Sequence, residues 1–273
     1  MTPEPHADPI AGSAPEASTP RAHDARTWLV AHIDEAAQQV IDFIEADGVA
    51  LAGKTVADIG SGDGLIDYGV FTKAKPAKLV GYDVRPTDTD TLQRLLASAG
   101  RDTVLPGPDE LAFAESQTDH VPAPDDAFDV VFSWSVFEHV DQPIQMLREV
   151  RRILKPDGWF FLQLWPFFGS EHGGHLWQSV EGSFPHLLRS PFELNDFLRG
   201  KAATDPTRAA DDEFRSLNRI TLDGLQRAMM AAGLRVSKVQ LLSETIHIPP
   251  QLSHLPLTDL AVSGIKLLAV PAS

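Results

Sequence analysis

The chain has 273 residues, a hydrophobic fraction of 43% and a formal net charge of -15, from 38 acidic and 23 basic residues. This length suffices for one large α/β domain, or for a domain with an added lobe. Phosphate backbones would repel so acidic a chain, so nucleic acid is not an expected partner. The absence of cysteine excludes disulfides, thiolate metal ligands and cysteine nucleophiles, and it fits a cytoplasmic protein. No apolar run reaches the length of a membrane span, and no secretion signal pattern is present.

Residues 1–24 are rich in Pro, Ala, Ser, Thr and acidic side chains, with almost no large apolar residue. Such a segment cannot bury enough surface to offset its ordering entropy, which predicts a disordered tail. Apolar residues then recur at helical spacing from Ala25 to Ala46. The helix predicted there either covers the edge of the sheet or acts as a lid over a ligand.

The segment VADIGSGDG at residues 56–64 reads as a short buried strand that runs into a glycine-rich turn. An apolar pattern resumes at Leu65 and predicts a helix. Glycine lets the backbone approach a ligand closely, and the free N–H groups of a helix start point toward that ligand. Similar turns open dinucleotide-binding units, so the glycines alone do not identify the ligand.

A second buried strand is predicted at residues 78–84, with Asp83 near its end. Asp83 follows the glycine turn by about twenty residues, the spacing at which a carboxylate on the neighbouring parallel strand accepts ribose hydroxyls. The alternative is a solvated acid at a strand terminus. A helix at about residues 89–99 and a weak third strand near residues 111–114 are predicted next.

A fourth strand, residues 128–134, continues into Ser-Val-Phe-Glu-His-Val at residues 135–140. Ligands of open α/β sheets lie outside the carboxyl ends of the strands, which predicts Glu138 and His139 near the ligand. Asp141 is in position to cap the next helix, with Pro143 in its first turn. The turn at residues 155–158 then leads into a fifth strand.

Strands alternating with helices predict an α/β fold with a doubly wound, mostly parallel sheet. The fifth strand, residues 159–165, is the last of this alternating pattern, which breaks at Pro166. From there to about Arg219, apolar residues follow no persistent helical or strand periodicity. A segment this long is normally functional or disordered, and its many aromatic residues argue against disorder. Thr221 is predicted to cap a helix that Gly233 ends, and two strands follow at residues 235–243 and 264–270.

Four segments together resemble the class I S-adenosyl-L-methionine-dependent methyltransferases. They are VADIGSGDG (56–64), VGYDV (80–84), PDDAFDVVFSWSVFEHV (124–140) and LREVRRILKPDGWFFLQ (147–163). Their order and approximate spacing are those of the family, and they cover most of residues 50–165. The resemblance implies a seven-stranded Rossmann-like methyltransferase fold over residues 25–273, with residues 166–220 inserted after the fifth strand to bind the acceptor.

The resemblance also implies which residues hold S-adenosyl-L-methionine. Its methionine part is expected at the strand end and glycine turn, and its ribose at Asp83. The residues implied at the strand end and turn are Asp58, Gly60, Ser61, Gly62 and Gly64, and Ser133 of the fourth strand is a further predicted cofactor contact. The family usually places an acid beside the adenine amino group, whereas here the spacing leads to Gln117, with Glu115 close by. Either side chain is able to accept that hydrogen bond.

The segment after Pro166 resembles methyltransferases of bacterial polysaccharide pathways. The matching pieces are Gly-Gly-His-Leu (173–176), Phe-Pro-His-Leu-Leu (184–188) and Leu-Asn-Arg-Ile-Thr-Leu (217–222). The implied acceptor is a saccharide or glycoside hydroxyl, with His172, His175, Trp165 and Trp177 as predicted contacts. The alternative is that these aromatic residues only pack an irregular loop. The sequence leaves the oligomeric state open.

His139 is the predicted general base, because a hydroxyl acceptor must lose a proton and histidine titrates in the right range. Glu138 is its expected orienting partner. The alternative is that His139 merely packs against the cofactor. A divalent metal such as magnesium, near Glu171, His172 and His175, is a further possibility without a nominated ligand set.

Three rival functions stay open from the sequence. The first is O- or N-methylation of a small metabolite other than a sugar. The second is a non-catalytic cofactor-binding module, and the third is nicotinamide-dependent oxidoreduction.

Overall fold

The computed structural model describes residues 22–101, 104–176, 180, 182–204 and 210–272. Most of the predicted disordered tail therefore lies outside the described residues. The chain is already helical at Ala22, three residues before the predicted start of the first helix. None of the described helices is both long and apolar enough to cross a membrane.

One sheet organises the chain. Its strands are β1 (Thr55–Ile59), β2 (Lys78–Asp83), β3 (Leu111–Glu115), β4 (Phe128–Trp134), β5 (Leu154–Leu164), β6 (Leu234–Ser243) and β7 (Val262–Pro271). The seven strands lie in the order β3-β2-β1-β4-β5-β7-β6. Strands β1 to β5 are parallel, and β7 is antiparallel to both of its neighbours. The predicted doubly wound, mostly parallel seven-stranded fold is confirmed.

Helices connect these strands and cover the sheet. They are α1 (Ala22–Val30), α2 (Ala37–Glu45), α3 (Leu65–Ala74), α4 (Thr89–Ser98), α5 (Pro143–Ile153), α6 (Pro185–Leu188), α7 (Pro191–Thr204), α8 (Ala210–Ser216), α9 (Leu222–Ala231) and α10 (Leu257–Ala261). A π-helical turn (Ala31–Ala36) joins α1 to α2, and 3-10 turns occur at Phe137–His139 and Pro250–Leu252.

Both faces of the central strands are buried, which explains their continuous apolar runs. Val56 and Val130 pack with residues of α2, α3 and α4 on one face of the sheet. Ala57 and Val131 point to the other face, where they pack with residues of α5 and α9. Successive strand residues point to opposite faces, so both helical layers are anchored by the same short strands.

The first helical segment packs on α3. A Cβ added to Gly69 of α3 would lie 2.2 Å from the carbonyl oxygen of Ile33, so glycine permits the close approach. Ile33, Val40 and Ile44 are buried in the same cluster as the α3 residue Leu65. This contact agrees with the predicted covering helix.

Residues 166–220 contain more helix than the sequence predicted. The expectation of a segment without periodic structure was wrong for α6, α7 and α8. Leu194 and Leu198 of α7, one turn apart, pack with Leu176 and Val180 in a small separate cluster. So short an apolar stripe does not stand out as a helical period.

The start and the end of α9 were predicted correctly. The Thr221 hydroxyl accepts a hydrogen bond from the Gly224 amide at 3.1 Å. Gly233 follows the helix with a φ of +74°, the left-handed conformation that favours glycine at a helix end.

Candidate functional site

The glycine turn, residues 60–64, has backbone angles that only glycine adopts easily. Gly60 has a φ of 91°, and Gly64 a φ of 78°. A Cβ on Gly60 would lie 2.4 Å from a methyl carbon of Val136, so no side chain fits there. The Gly60 amide donates to the Tyr82 carbonyl at 2.7 Å, which ties the turn to the end of β2. The turn is therefore a rigid backbone surface.

Asp83 stands at the carboxyl end of β2, facing the glycine turn. One carboxylate oxygen accepts from the Gly62 amide at 3.0 Å, and the other accepts from the Arg85 amide at 2.9 Å. A carboxylate offers about four lone-pair positions. Acceptor capacity therefore remains for the two hydroxyls of a ribose.

A cavity of about 250 Å³ opens beside these residues. It is bounded by the ends of β1, β2 and β4, the residues after β3 and the start of α5, and its lining residues are Ile59, Gly60, Tyr82, Asp83, Val84, Ser116, Gln117, Thr118, Val136, His139, Val140, Asp141 and Met146. Among the predicted site residues, Gly60, Asp83, Gln117 and His139 meet here. The cavity thus combines a backbone cradle, a carboxylate, an amide and an imidazole.

The structure distinguishes Gln117 from Glu115. Gln117 lines the cavity, whereas Glu115 pairs in register with Asp83 inside the sheet and is not among the lining residues. Ser116, Val136 and Met146 also line it and were missed by sequence reasoning. Only their positions in the chain could have indicated them. Ser116 and Val136 follow the ends of β3 and β4, and Met146 lies in the first turn of α5.

The predicted cap at Asp141 was wrong. The residue at the N-cap of α5 is Gln142, which makes no side-chain capping bond, while Pro143 occupies the first turn as predicted. Asp141 instead lines the cavity. It therefore adds a second carboxylate to the same site.

Several predicted cofactor residues support the site without lining it. The Ser133 hydroxyl is fully buried and donates to the Ile59 carbonyl at 2.7 Å, so it joins β4 to β1 and does not face the cavity. The Ser61 hydroxyl lies 3.2 Å from that of Thr87, whose own hydroxyl donates to the Gly62 carbonyl at 2.9 Å. These bonds fix the glycine turn through residues that do not line the cavity.

Asp58 lies under the glycine turn beside a second buried acid, Asp67 of α3. Both side chains are almost completely inaccessible, at 3% and 0% exposure. Burial, followed by the neighbouring Asp67 carboxyl, raises the pKa of Asp58 well above its usual range. Burial raises the pKa of Asp67 to about 7. Both acids therefore hold a proton more strongly than solvated carboxyls do, and Asp67 was not anticipated from the sequence.

The 3-10 turn that carries Glu138 and His139 is fastened by Asn218. The Asn218 side-chain amide donates to the Phe137 carbonyl at 2.7 Å and to the Val140 carbonyl at 2.8 Å. Its backbone amide donates to the Glu138 carbonyl at 2.8 Å. One asparagine at the end of the insertion, residues 166–220, thus fixes the backbone on both sides of His139.

Residues of the insertion orient two histidines. His139 Nδ1 lies 2.7 Å from the Ser216 hydroxyl, which itself donates to the Glu213 carbonyl at 2.8 Å. A hydroxyl carries a single proton, so this network is complete when His139 Nδ1 bears the ring proton. His175 Nδ1 lies 2.8 Å from a Glu213 carboxylate oxygen, which only accepts. In both rings, Nε2 is then the nitrogen with the lone pair.

Glu138 is only 4% exposed, and its Oε2 is buried without a hydrogen-bond partner. Burial raises the pKa of Glu138 to about 8. Burial, and then the neighbouring His175, lowers the pKa of His139. Glu138, His139 and His175 each offer one ligand atom within 4.8 Å of the other two, and we call this group the His/Glu cluster.

The remaining predicted acceptor residues are placed less centrally. Trp165 follows β5 and packs close to Gly264 of β7. The His172 carbonyl accepts from the His175 amide at 3.0 Å, so both lie in one turn. Neither Glu171 nor His172 joins a metal-type cluster among the described residues. Trp177 lies outside the described residues.

Comparisons with known proteins agree on one family. A family profile described as a methyltransferase domain matches residues 29–239. An uncharacterized methyltransferase of Mycobacterium ulcerans is 33% identical over 136 residues, which are 48% of this chain and 48% of that protein. The chain thus spans about half the length of that relative. A ubiquinone biosynthesis O-methyltransferase of Pseudomonas paraeruginosa is 30% identical over 188 residues, which are 65% of this chain and 71% of that protein.

Solved structures share the fold at low sequence identity. The YcgJ protein of Bacillus subtilis matches with a TM-score of 0.52 and 16% identity, covering 88% of this chain and 99% of that one. The [4+2]-cyclase SpnF matches with a TM-score of 0.52 and 17% identity, covering 88% of this chain and 83% of that one. At such identities the match establishes the architecture alone.

Proposed function

The chain belongs to the methyltransferase-domain family, and from this premise we propose that it transfers the methyl group of S-adenosyl-L-methionine to a hydroxyl of a saccharide or glycoside. One observation carries the proposal. The glycine turn, Asp83 and His139 border a single cavity, so a cradle for the donor and a group able to take a proton lie together.

The residues present fit S-adenosyl-L-methionine. Asp83 keeps acceptor capacity for the ribose hydroxyls, and Gly60 brings bare backbone to the border of the cavity. Gln117 and the apolar side chains of Val84 and Met146 suit the adenine ring. We assign the methionine part to the glycine turn, with Asp58 as a buried support beneath it.

The donor supplies a methyl group on a sulfonium: the acceptor oxygen forms the new C–O bond while the C–S electron pair stays on sulfur. The chain must align the acceptor and deal with the hydroxyl proton. We assign removal of the acceptor's hydroxyl proton to the site around His139. In the simplest mechanism, Nε2 of His139 takes up this proton directly. The Ser216 contact supports this assignment, because it holds the ring in the tautomer with a lone pair on Nε2.

The insertion supports a polyhydroxylated acceptor. It brings His175 to His139, with ring centroids 5.0 Å apart. Imidazoles suit hydroxyls, because a ring nitrogen can accept or donate a hydrogen bond. We therefore propose residues 166–220 as the acceptor-binding part of a methyltransferase domain that spans residues 25–273.

Two rival functions have specific support. The Pseudomonas relative is an O-methyltransferase of ubiquinone biosynthesis, which favours an oxygen acceptor that need not be a sugar. The structural neighbour SpnF is a cyclase, so this fold also supports reactions other than methyl transfer. The second rival is therefore a chain that binds the cofactor without transferring its methyl group.

A labelled-methyl assay separates these functions. The full chain is incubated with S-adenosyl-L-methionine labelled in its methyl group and with panels of saccharides, phenolic metabolites and amines. We expect label in the saccharide fraction and production of S-adenosylhomocysteine. Label confined to phenols or amines would overturn the saccharide acceptor. Cofactor binding in calorimetry without transfer to any panel would instead support the binding module.

A further inference from the structure

The His/Glu cluster has the composition of a metal site. Glu138, His139 and His175 offer two imidazole nitrogens and one carboxylate oxygen, all within 4.8 Å of one another. Ligand atoms at about 2.1 Å from one ion are at most about 4.2 Å apart, so small side-chain rotations suffice to bring them together. We propose that these three residues bind a divalent metal ion.

The buried carboxylate of Glu138 supports the site independently of this spacing. Its Oε2 is inaccessible and has no hydrogen-bond partner, although the side chain is only 4% exposed. Burial favours the neutral acid there, and the ionised carboxylate becomes favourable only when it is paired with a charge or coordinates a metal. A cation between Glu138 and the two imidazoles would provide that missing partner.

The surroundings of the two histidines are also those of metal ligands. Metal-binding histidines usually donate their other ring N–H to a carboxylate or another acceptor, which fixes the tautomer and raises the basicity of the ligating nitrogen. With Nε2 as the ligand atom of each ring, Glu213 takes this place for His175, and the Ser216 hydroxyl takes it for His139. Both partners belong to α8, so one short helix orients both rings.

The ligand set selects the type of ion. Imidazole favours transition ions such as Ni²⁺ and Zn²⁺, whereas Mg²⁺ prefers oxygen ligands; Mn²⁺ binds such sites more weakly than Zn²⁺ and serves as a paramagnetic probe. Three protein ligands leave further coordination positions open, and two of these would accept a pair of neighbouring hydroxyls. The matching acceptor is a compound with adjacent hydroxyl groups, as saccharides are.

This inference rests on the proposed methylation of a hydroxyl and changes the part that His139 plays. Its Nε2 lone pair would go to the ion, and the charge of the ion would then lower the pKa of the acceptor hydroxyl, so that its proton would pass to solvent water and not to free imidazole. The sequence nominated no ligand set, and of the three residues near which it placed a possible metal, Glu171, His172 and His175, only His175 belongs to the cluster.

A manganese titration tests the site without any need for turnover. The full chain is stripped with a chelator and dialysed, and Mn²⁺ is added while free Mn²⁺ is followed by electron paramagnetic resonance. We expect about one bound ion per chain, displaced by Zn²⁺ at low concentration and by Mg²⁺ only in large excess. Absence of stoichiometric binding would overturn the inference.

Two variants locate the ion, and a third residue serves as the control. Glu138→Gln keeps the shape of the side chain and is expected to fold, and His175→Ala removes one imidazole; each should weaken Mn²⁺ binding at least about tenfold. His254→Ala changes an exposed histidine whose ring bonds to the Gln251 carbonyl, and it should leave binding unchanged. Binding that survives both cluster variants would overturn the assignment.

The labelled-methyl assay, run with and without chelator, keeps the two proposals apart. Methyl transfer to a hydroxyl that is insensitive to the chelator, in a chain that binds no Mn²⁺, would overturn the metal site and leave the proposed function intact. Stoichiometric Mn²⁺ binding without transfer to any hydroxyl would overturn the proposed function and leave the metal site.

Discussion

The donor side of the cavity and the His/Glu cluster are built in opposite ways. The donor side consists of backbone and short side chains from residues 56–83, which are neighbours in sequence and in the sheet. The cluster combines Glu138 and His139, from the end of β4, with His175 from the insertion. Its support comes from still further along the chain, at Glu213, Ser216 and Asn218.

The donor side and the cluster should therefore respond differently to substitution. The donor side depends on a few backbone conformations that a single side chain would block. The cluster depends on several hydrogen bonds from distant segments, so each loss should weaken the site in part. Substitutions on the donor side are therefore expected to act on cofactor affinity, and substitutions around the cluster on turnover.

The largest effect is expected from Gly60→Ala. The added Cβ would lie 2.4 Å from a Val136 methyl carbon, at a φ of 91°. We expect cofactor affinity to fall by more than about a hundredfold, about 3 kcal/mol, measured by calorimetry on protein whose circular dichroism is intact. Gly62→Ala is the matched control, since its Cβ meets nothing within 4 Å and only the left-handed conformation is unfavourable. Equal losses in both variants would contradict this steric explanation.

A smaller loss is expected from Asp83→Ala. Removing a carboxylate that bonds to the turn and to a ribose should cost about 1.5–3 kcal/mol, or about ten- to a hundredfold in cofactor affinity. Asp157→Ala, at an exposed acid in the first half of β5, should leave the affinity unchanged. If the two variants bound the cofactor equally well, Asp83 would have no role in the cavity.

Asn218→Ala tests the cluster side of the comparison. It removes two side-chain hydrogen bonds to the turn that carries His139, each worth about 1 kcal/mol. We expect kcat to fall about tenfold while the Kd of the cofactor stays the same. A change confined to cofactor affinity would show that the two sides are not independent.

The smallest effect on activity is expected from Asp67→Asn, but its effect on stability should depend on pH. An unfolded aspartate has a pKa near 3.9, whereas burial raises the pKa of Asp67 to about 7. Between about pH 4 and 7 the folded chain holds a proton that the unfolded chain releases, so stability falls as the pH rises. Urea unfolding should find the variant no more stable at pH 5 and more stable at pH 8. Parallel pH profiles for the two proteins would contradict the shift.

Much of the fold could be read from the sequence because its signals are local. All seven strands, the Asp83 position and the cap at Thr221 follow from apolar runs and turn residues within short windows. The insertion was harder, because helices such as α6 span about one turn and their apolar contacts lie in other segments. Ser133 was misjudged for a related reason: alternation along β4 turns its hydroxyl toward Ile59 and away from the cavity.

The sequence by itself determined the order of strands and helices, the glycine turn and the carboxylate that faces it, since these depend on residues close together in the chain. Only the tertiary structure decided the partners of His139. Ser216 contacts its ring, Glu213 contacts the ring of the neighbouring His175, and Asn218 holds the backbone on both sides of His139. These contacts fold the insertion back over the end of β4, across about eighty residues for Ser216 and Asn218. Such contacts arise from packing and carry no local spacing, so the Glu138–His139–His175 group became visible only in three dimensions.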